Sequence, residues 1–460
     1  MARRFNLLLV LLVLTSLVLA ACGGGGAAPT QAPAATTAPV ATTAPVATEA
    51  PAATEAPTEA PAEATATPEA AAATPEATAT EAPAATGDAG TLVVWADNTR
   101  APAIRAIADE FEQQNGVRLV ISEIGFGDIR DNVKRAAPAG EGPDVFIGAH
   151  DWVGELFENG ILEPIDLGDT ADDFWPTALE LFQYNGEQVG MPYATENLAL
   201  IYNPDLVEEV PATWDEVKTL AEELQDAGTV EYGFCRQQGD PYHFYPIQTA
   251  FGGYIFGVND DGTWNPEDVG FGNDGSVAAG QWLVDMVEQG SVVKDMDWDT
   301  YHKTFESGEC AMMITGPWAL PRLRESGVNF EIAAFPTGPA GDSQPFLGGQ
   351  AFFVSAFSEN KLMAQAFLSE FVASEEVMRS IFESDPRPSA FLAVRDNPND
   401  PAMEQFGAAG GAAVPMPNIP AMSAVWGPAG DALTLLQQGT AQAEEAMTNA
   451  QTQIETALAQ

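Results

Sequence analysis

The chain is poor in cations, cysteine and histidine. Lys and Arg number 18 against 66 Asp and Glu, a formal charge of −48 over 460 residues. A surface that negative repels phosphate backbones, so no nucleic-acid partner is expected. Anionic small molecules and anionic membrane surfaces are disfavoured for the same reason, unless a local basic pocket intervenes. Three Cys and three His exclude a disulfide-stapled scaffold and a His-rich metal centre, so neither metal nor cofactor is expected. No Lys follows a Gly, so the nucleotide phosphate loop is missing, as are His-Glu-x-x-His and Gly-x-Ser-x-Gly. Apolar residues nevertheless make up 46% of the chain, enough for a globular body of more than one core.

The first segment reads as an address. Arg3 and Arg4 precede the apolar run Leu7 to Ala21, which falls short of the roughly 20 residues of a membrane span. It ends Leu19-Ala20-Ala21-Cys22, which resembles a bacterial lipobox, so residues 1–22 are expected to be a lipoprotein signal peptide with Cys22 lipidated. A plain cleaved signal peptide or an uncleaved anchor helix is the alternative. Residues 23–90 are Ala, Thr, Pro and Glu repeats without an aromatic or a cation. Such a composition cannot bury enough apolar surface to offset its ordering entropy, and it predicts a disordered linker reaching roughly 50 Å as a coil. Eight acids fall in it, so the remaining body stays strongly acidic.

Residues 91–460 alternate strand and helix signals, which predicts an α/β fold. Thr91 to Trp95 is a short buried strand, Pro102 opens a helix whose Ile104, Ile107, Ala108 and Phe111 share one face, and Asn115-Gly116 stops it. Strands follow at 117–121 and 145–148, giving a parallel sheet by right-handed crossover. A second unit starts with a strand at 198–202. Thr213 and Glu216 form a capping box, strands are expected at 231–236, 310–315 and 350–355, and helices at 281–289, 362–374 and from about Met422 onward. Cys235 and Cys310 both fall in this second unit, as a bridge or as two buried thiols.

The body resembles extracellular solute-binding proteins of carbohydrate ABC importers, most closely the maltose/maltodextrin-binding proteins. The residues that carry the resemblance run in order: Leu92-Val93-Val94-Trp95, Glu141-Gly142-Pro143-Asp144-Val145, Ala149-His150-Asp151, Glu196-Asn197-Leu198, Asp240-Pro241-Tyr242, Thr315-Gly316-Pro317-Trp318 and Met416-Pro417-Asn418-Ile419-Pro420. The resemblance implies two α/β lobes of the periplasmic-binding-protein type closing on sugar, discontinuous in sequence. Lobe 1 would be about 91–194 and 346–395, lobe 2 about 199–341 and 399–460, with hinges near Asn197, Phe346 and Arg395.

A neutral sugar offers apolar C–H faces, which pack on aromatic rings, and hydroxyls, which are held best by charged partners. The positions matching the family's contacts have that mixture. Trp152, Tyr242, Trp318 and Trp426 are stacking candidates, with Trp298 a fifth; Asp151, Glu196 and Asp240 are hydroxyl acceptors; Arg100 and Arg130 are donors, with Asp97 and Asp128 nearby. Each has a plainer reading. Trp318 could be core, Trp426 lies in a Gly/Pro context, Asp240 could be a turn residue before Pro, and the two Arg could pair with acidic neighbours. His150 reads as a local hydrogen bonder. The pattern departs from the family's where its Trp before Ala-His-Asp is Gly148, its Arg after that Asp is Trp152, and its Arg one turn after the last Trp is Gly430.

The expected function is capture without chemistry. A lipid-anchored protein on the extracellular face of the membrane, or in the periplasm, binds maltodextrin or a related oligosaccharide and delivers it to a membrane permease driven by a separate ATPase. A binding protein for a polyol or sugar phosphate is the alternative. A cell-surface glycoside hydrolase, using two of Asp151, Glu196 and Asp240 across a glycosidic bond, is a remoter one.

Overall fold

A computed structural model describes residues 90–459. The signal segment, Cys22 and the linker lie outside the described residues. Along the described chain run β1 (Thr91–Ala96), α1 (Ala101–Asn115), β2 (Arg118–Glu123), α2 (Phe126–Ala136), β3 (Val145–Ala149) and α3 (Val153–Glu158), then β4 (Met191–Glu196), β5 (Ala199–Tyr202), α4 (Trp214–Asp226), β6 (Tyr232–Cys235) and α5 (Pro241–Ala250). They continue with α6 (Asp274–Glu288), α7 (Trp298–Glu306), β7 (Cys310–Thr315), β8 (Glu331–Ala333), β9 (Phe346–Ser355), α8 (Trp426–Gln438) and α9 (Ala443–Leu458).

The fold is α/β and two-lobed, each lobe built round one of the two larger sheets. In the first, β1 pairs in parallel with β2 from Thr91↔Arg118 to Ala96↔Glu123, and with β3 on its other side. Strand β9 runs antiparallel to both β3 and β4. In the second, β7 is flanked by β6, parallel, and β5, antiparallel, with β8 outside β5. The chain leaves the first sheet at Glu196 and enters the second at Ala199, so only Asn197 and Leu198 join β4 to β5. Asn197 is buried there, and its amide donates to the carbonyls of Leu198 and Phe406.

Local chemistry sets the element ends. Helix α1 carries Pro102 in its first turn and stops at Gly116, whose φ of 64° suits glycine. The capping box at Thr213 and Glu216 is formed in full and starts α4. Strand β9 begins at Phe346, four residues before the expected start, because Gly348 and Gly349 hide an extended segment that the ladder with β4 holds. The expected helix over 362–374 is split into Lys361–Ala366 and a π-turn over Phe367–Val372. The helical C-terminal stretch is two helices, α8 and α9, broken at Gly439 in the left-handed region. Cys235 and Cys310 are joined by a disulfide, tying β6 to its neighbour β7. Among the described residues no helix is long and apolar enough to cross a membrane.

Candidate functional site

The carboxyl ends of β1 and β3, the end of β4, the N-terminus of α5 and the first turns of α7 and α8 surround one cavity of about 630 Å³. Ligands of open α/β sheets settle beyond such strand ends. All ten residues singled out from the sequence line it: Arg100, Arg130, Asp151, Trp152, Glu196, Asp240, Tyr242, Trp298, Trp318 and Trp426. Asp97 lines it as well, whereas Asp128 stands exposed on α2 outside the lining.

The aromatic residues form its walls. Tyr242 and Trp318 are neighbours, their ring centroids 6.2 Å apart and their planes tilted by 46°, and Trp298 packs on His302 at 4.3 Å. Trp152 is the most buried of the set, 6% exposed, and leans on Phe126 at 4.9 Å. Its indole fills the space over Gly148, where an added Cβ would come within 2.4 Å of it. Glycine at 148 and tryptophan at 152 are therefore one feature: the missing side chain at 148 makes room for the indole at 152. Trp426 opens α8, and its Nε1 donates to Asp151 Oδ2 at 3.2 Å, which fixes the indole edge against the end of β3.

The polar residues are more heavily engaged with one another than the sequence suggests. The Glu196 carboxylate is held by Arg387 Nη1 and by Gln350 Nε2, the latter at 2.9 Å. Arg387 also donates from Nε to Asp385 at 2.7 Å, and its guanidinium lies 5.5 Å from the Trp318 ring centroid. Tyr193 Oη links Asp385 to Arg100, accepting from Arg100 Nε at 3.0 Å, while Arg100 Nη1 grips Asp97. Arg130 lies 3.6 Å from Glu155. Asp240 is the N-cap of α5: Oδ1 accepts from the His243 N–H at 3.1 Å and Oδ2 lies 2.6 Å from His243 Nδ1. Both arginines thus pair with acids, and Asp240 also has the structural duty that its place before Pro241 allows. Arg387 and Gln350 are missed by the sequence reading. A single cation between Pro386 and Pro388 reads as a turn; the available signal was that any Arg in so acidic a body must have a carboxylate partner.

Burial tunes these groups. Asp151 is pushed up to about 6 by burial, against the pull of Arg130 and the Trp426 hydrogen bond. Burial opposes ionisation of Asp240 too, but the adjacent His243 and its hydrogen bonds, with Arg236, outweigh it and hold the carboxyl below its usual range. Burial likewise drives the Tyr242 hydroxyl well above its ordinary value, so it stays a donor. His150 is buried; its Nδ1 accepts from the Gly349 N–H at 3.1 Å, which leaves Nε2 as donor to the Met416 carbonyl at 2.9 Å, and burial lowers its pKa to about 4. It stays neutral and braces the end of β3 against β9. Four side-chain atoms around the cavity are buried without a hydrogen bond or ion pair: Tyr242 Oη, His243 Nε2, Trp318 Nε1 and Gln350 Oε1. Unpaired buried polar atoms are costly, and these are the groups a hydroxylated ligand would satisfy. No cluster of His, Cys, Asp and Glu suited to a metal occurs among the described residues.

A two-lobed α/β fold with an aromatic and acidic cleft between strand ends defines a solute-binding protein. The comparisons agree: residues 106–405 match the family described as bacterial extracellular solute-binding protein, and the chain belongs to it. This is a family of binding proteins, not of enzymes. The chain is 33% identical over 310 residues to a maltotriose-binding protein of Pyrococcus abyssi, covering 65% of this chain and 67% of that one. It is 28% identical over 373 residues to a galactooligosaccharide-binding protein of Bacillus subtilis, covering 78% and 87%. It is also 28% identical over 393 residues to a maltooligosaccharide ABC transporter solute-binding lipoprotein of Streptococcus pneumoniae, covering 82% and 91%.

Proposed function

We propose that this protein captures a neutral oligosaccharide, of the maltodextrin type or a related one, and delivers it to the membrane permease of an ABC importer powered by a separate ATPase. The observation that carries the reading is that Tyr242, Trp298, Trp318 and Trp426 line one cavity together with Asp151, Glu196 and Gln350. Flat rings take the sugar's C–H faces and the polar groups take its hydroxyls. Anionic solutes such as a sugar phosphate fit less well, because Arg100 and Arg387 are neutralised by Asp97, Asp385 and Glu196. The lobes are taken to divide at Asn197, near Phe346 and near Arg395, and to close on the ligand. Lipidation at Cys22 and the 23–90 linker would hold the binding body outside the membrane on a tether.

Isothermal titration with maltodextrins, galactooligosaccharides and sugar phosphates tests the reading. Binding of a neutral oligosaccharide, with compaction in small-angle scattering, is expected. Heat from the phosphates alone, or from none of the panel, would overturn it.

A further inference from the structure

Asp240 and His243 stand one turn apart at the start of α5, and both line the cavity. Both oxygens of the Asp240 carboxylate are engaged within that turn: Oδ1 accepts from the His243 N–H at 3.1 Å, and Oδ2 lies 2.6 Å from His243 Nδ1. The other ring nitrogen, Nε2, is buried without a hydrogen bond or ion pair, and the whole residue is 5% exposed. A neutral imidazole carries one proton, and its place is set by what each ring nitrogen faces. Two bare lone pairs that close would repel, so a proton lies between Oδ2 and Nδ1. Burial opposes ionisation of Asp240, yet His243, its hydrogen bonds and Arg236 hold the carboxyl below its usual range, so the proton belongs to Nδ1. That leaves Nε2 with a lone pair and no donor to it. From this pairing we infer that His243 selects the ligand through Nε2, which accepts from a hydroxyl or amide N–H of the sugar, while Asp240 is a positioning residue that sets the tautomer and does not itself hold the ligand. The inference rests on the reading of the cavity as a sugar site, and it changes the role that the motif before Pro241 suggests for Asp240.

The surroundings hold the imidazole in one orientation. Trp298, Tyr301 and Trp318 pack edge-on around it, with ring centroids 6.1, 6.3 and 5.9 Å away. Arg236, 2% exposed, anchors the turn by donating to the Asp240 carbonyl at 3.1 Å and to Gln437 Oε1 at 2.8 Å. The carboxylates Asp151 and Glu196 already have protein donors, Trp426 for the first and Arg387 with Gln350 for the second. His243 Nε2 has none, so its energy depends wholly on what the ligand brings. A buried acceptor fixed in direction discriminates by what would be left unpaired: a hydroxyl donates to it, whereas a deoxygenated or O-methylated position cannot.

The chain has three histidines, His150, His243 and His302, so nitrogen NMR of the histidine-labelled protein at neutral pH reads each ring separately. His243 should show the Nδ1–H form, opposite to His150, whose bonds fix Nε2–H. Adding the maltodextrin or galactooligosaccharide that gives heat in titration should shift the His243 Nε2 resonance and leave the His150 ring unmoved. Asp240→Asn should invert the His243 tautomer, because the Asn carbonyl oxygen keeps the helix cap and its amide N–H then faces Nδ1. A merely structural role for Asp240 would not move that signature. His243→Phe keeps a ring in place and loses the acceptor, so the Kd of the same sugar should rise about tenfold. Should His243→Phe lower Tm, the resonances of the unsubstituted protein decide. An Nε2–H or doubly protonated His243, an Nε2 resonance unmoved by a sugar that binds, an Asp240→Asn variant with the tautomer unchanged, or a folded His243→Phe variant with the parent's Kd overturns the inference while leaving the cavity a sugar site. Failure of every oligosaccharide to bind overturns that reading and this inference with it.

Discussion

Arg387→Leu should destabilise the protein severely, and the damage should be reversible by removing charge rather than by adding it. The Arg387 side chain is 1% exposed and lies between Glu196 at 8% and Asp385 at 4%. Deleting the cation leaves two buried carboxylates facing each other's field with only Gln350 and Tyr193 as neutral donors. Breaking a buried pair in this way costs about 3–5 kcal/mol, because the surviving charge stays desolvated. Against a total stability of about 5–15 kcal/mol, this is a large fraction. At about 2 °C per kcal/mol for a body of this size it corresponds to roughly 6–10 °C in Tm. Replacing Glu196 and Asp385 by Gln and Asn in the same chain removes the stranded charges and should restore more than half of the loss. Thermal unfolding and urea midpoints of the single and triple variants read this directly. A single variant within about 1 kcal/mol of the parent, or a triple variant no better than the single, would refute the view that the charges of this buried network depend on one another.

Other consequences follow from the same geometry. The unfolded-state pKa of Asp151 is near 3.8 and the folded one about 6, so the folded protein holds the extra proton between those values. Stability should therefore fall as pH rises from about 4 to about 6, by roughly 3 kcal/mol from this group, and Asp151→Asn should flatten that part of the urea-midpoint profile. Trp318→Ala should weaken oligosaccharide binding by about 2 kcal/mol, roughly thirtyfold in Kd, as read by calorimetry, and should also lower Tm, because the ring packs against both core clusters and on Arg387. Gly148→Ala places a methyl 2.4 Å from the Trp152 ring; thermal melts should show a loss of about 1–3 kcal/mol, and ligand affinity should fall with the displaced indole.

The parts of the fold legible in the sequence are those in which local signals and tertiary fate coincide. The apolar stripe of α1, its Pro102 start and Gly116 stop, and the Thr213–Glu216 capping box are set within a few residues and appear where expected. Strand β9 is longer than its sequence suggests because Gly348 and Gly349 carry no strand preference; the ladder with β4 decides them. In the site, the aromatic and acidic residues are visible through their short motifs. Their partners are not, because contacts such as Glu196 to Arg387 join residues 191 positions apart. Hence Glu196, expected as an acceptor for the ligand, is also the counter-ion of an arginine that no local pattern announces. The coupling of Gly148 to Trp152 is a further case: each is an ordinary residue by itself, and only the packed structure shows that one makes room for the other.

The most direct test of the central claim is a crystal structure of the protein with the tightest-binding member of the oligosaccharide panel. Sugar rings against Trp318 and Trp426, with hydroxyls within hydrogen-bond distance of Asp151, Glu196 and the Gln350 Oε1 atom, is the predicted result. A ligand seated outside this cavity, or an anion bound there between Arg100 and Arg387, would contradict it.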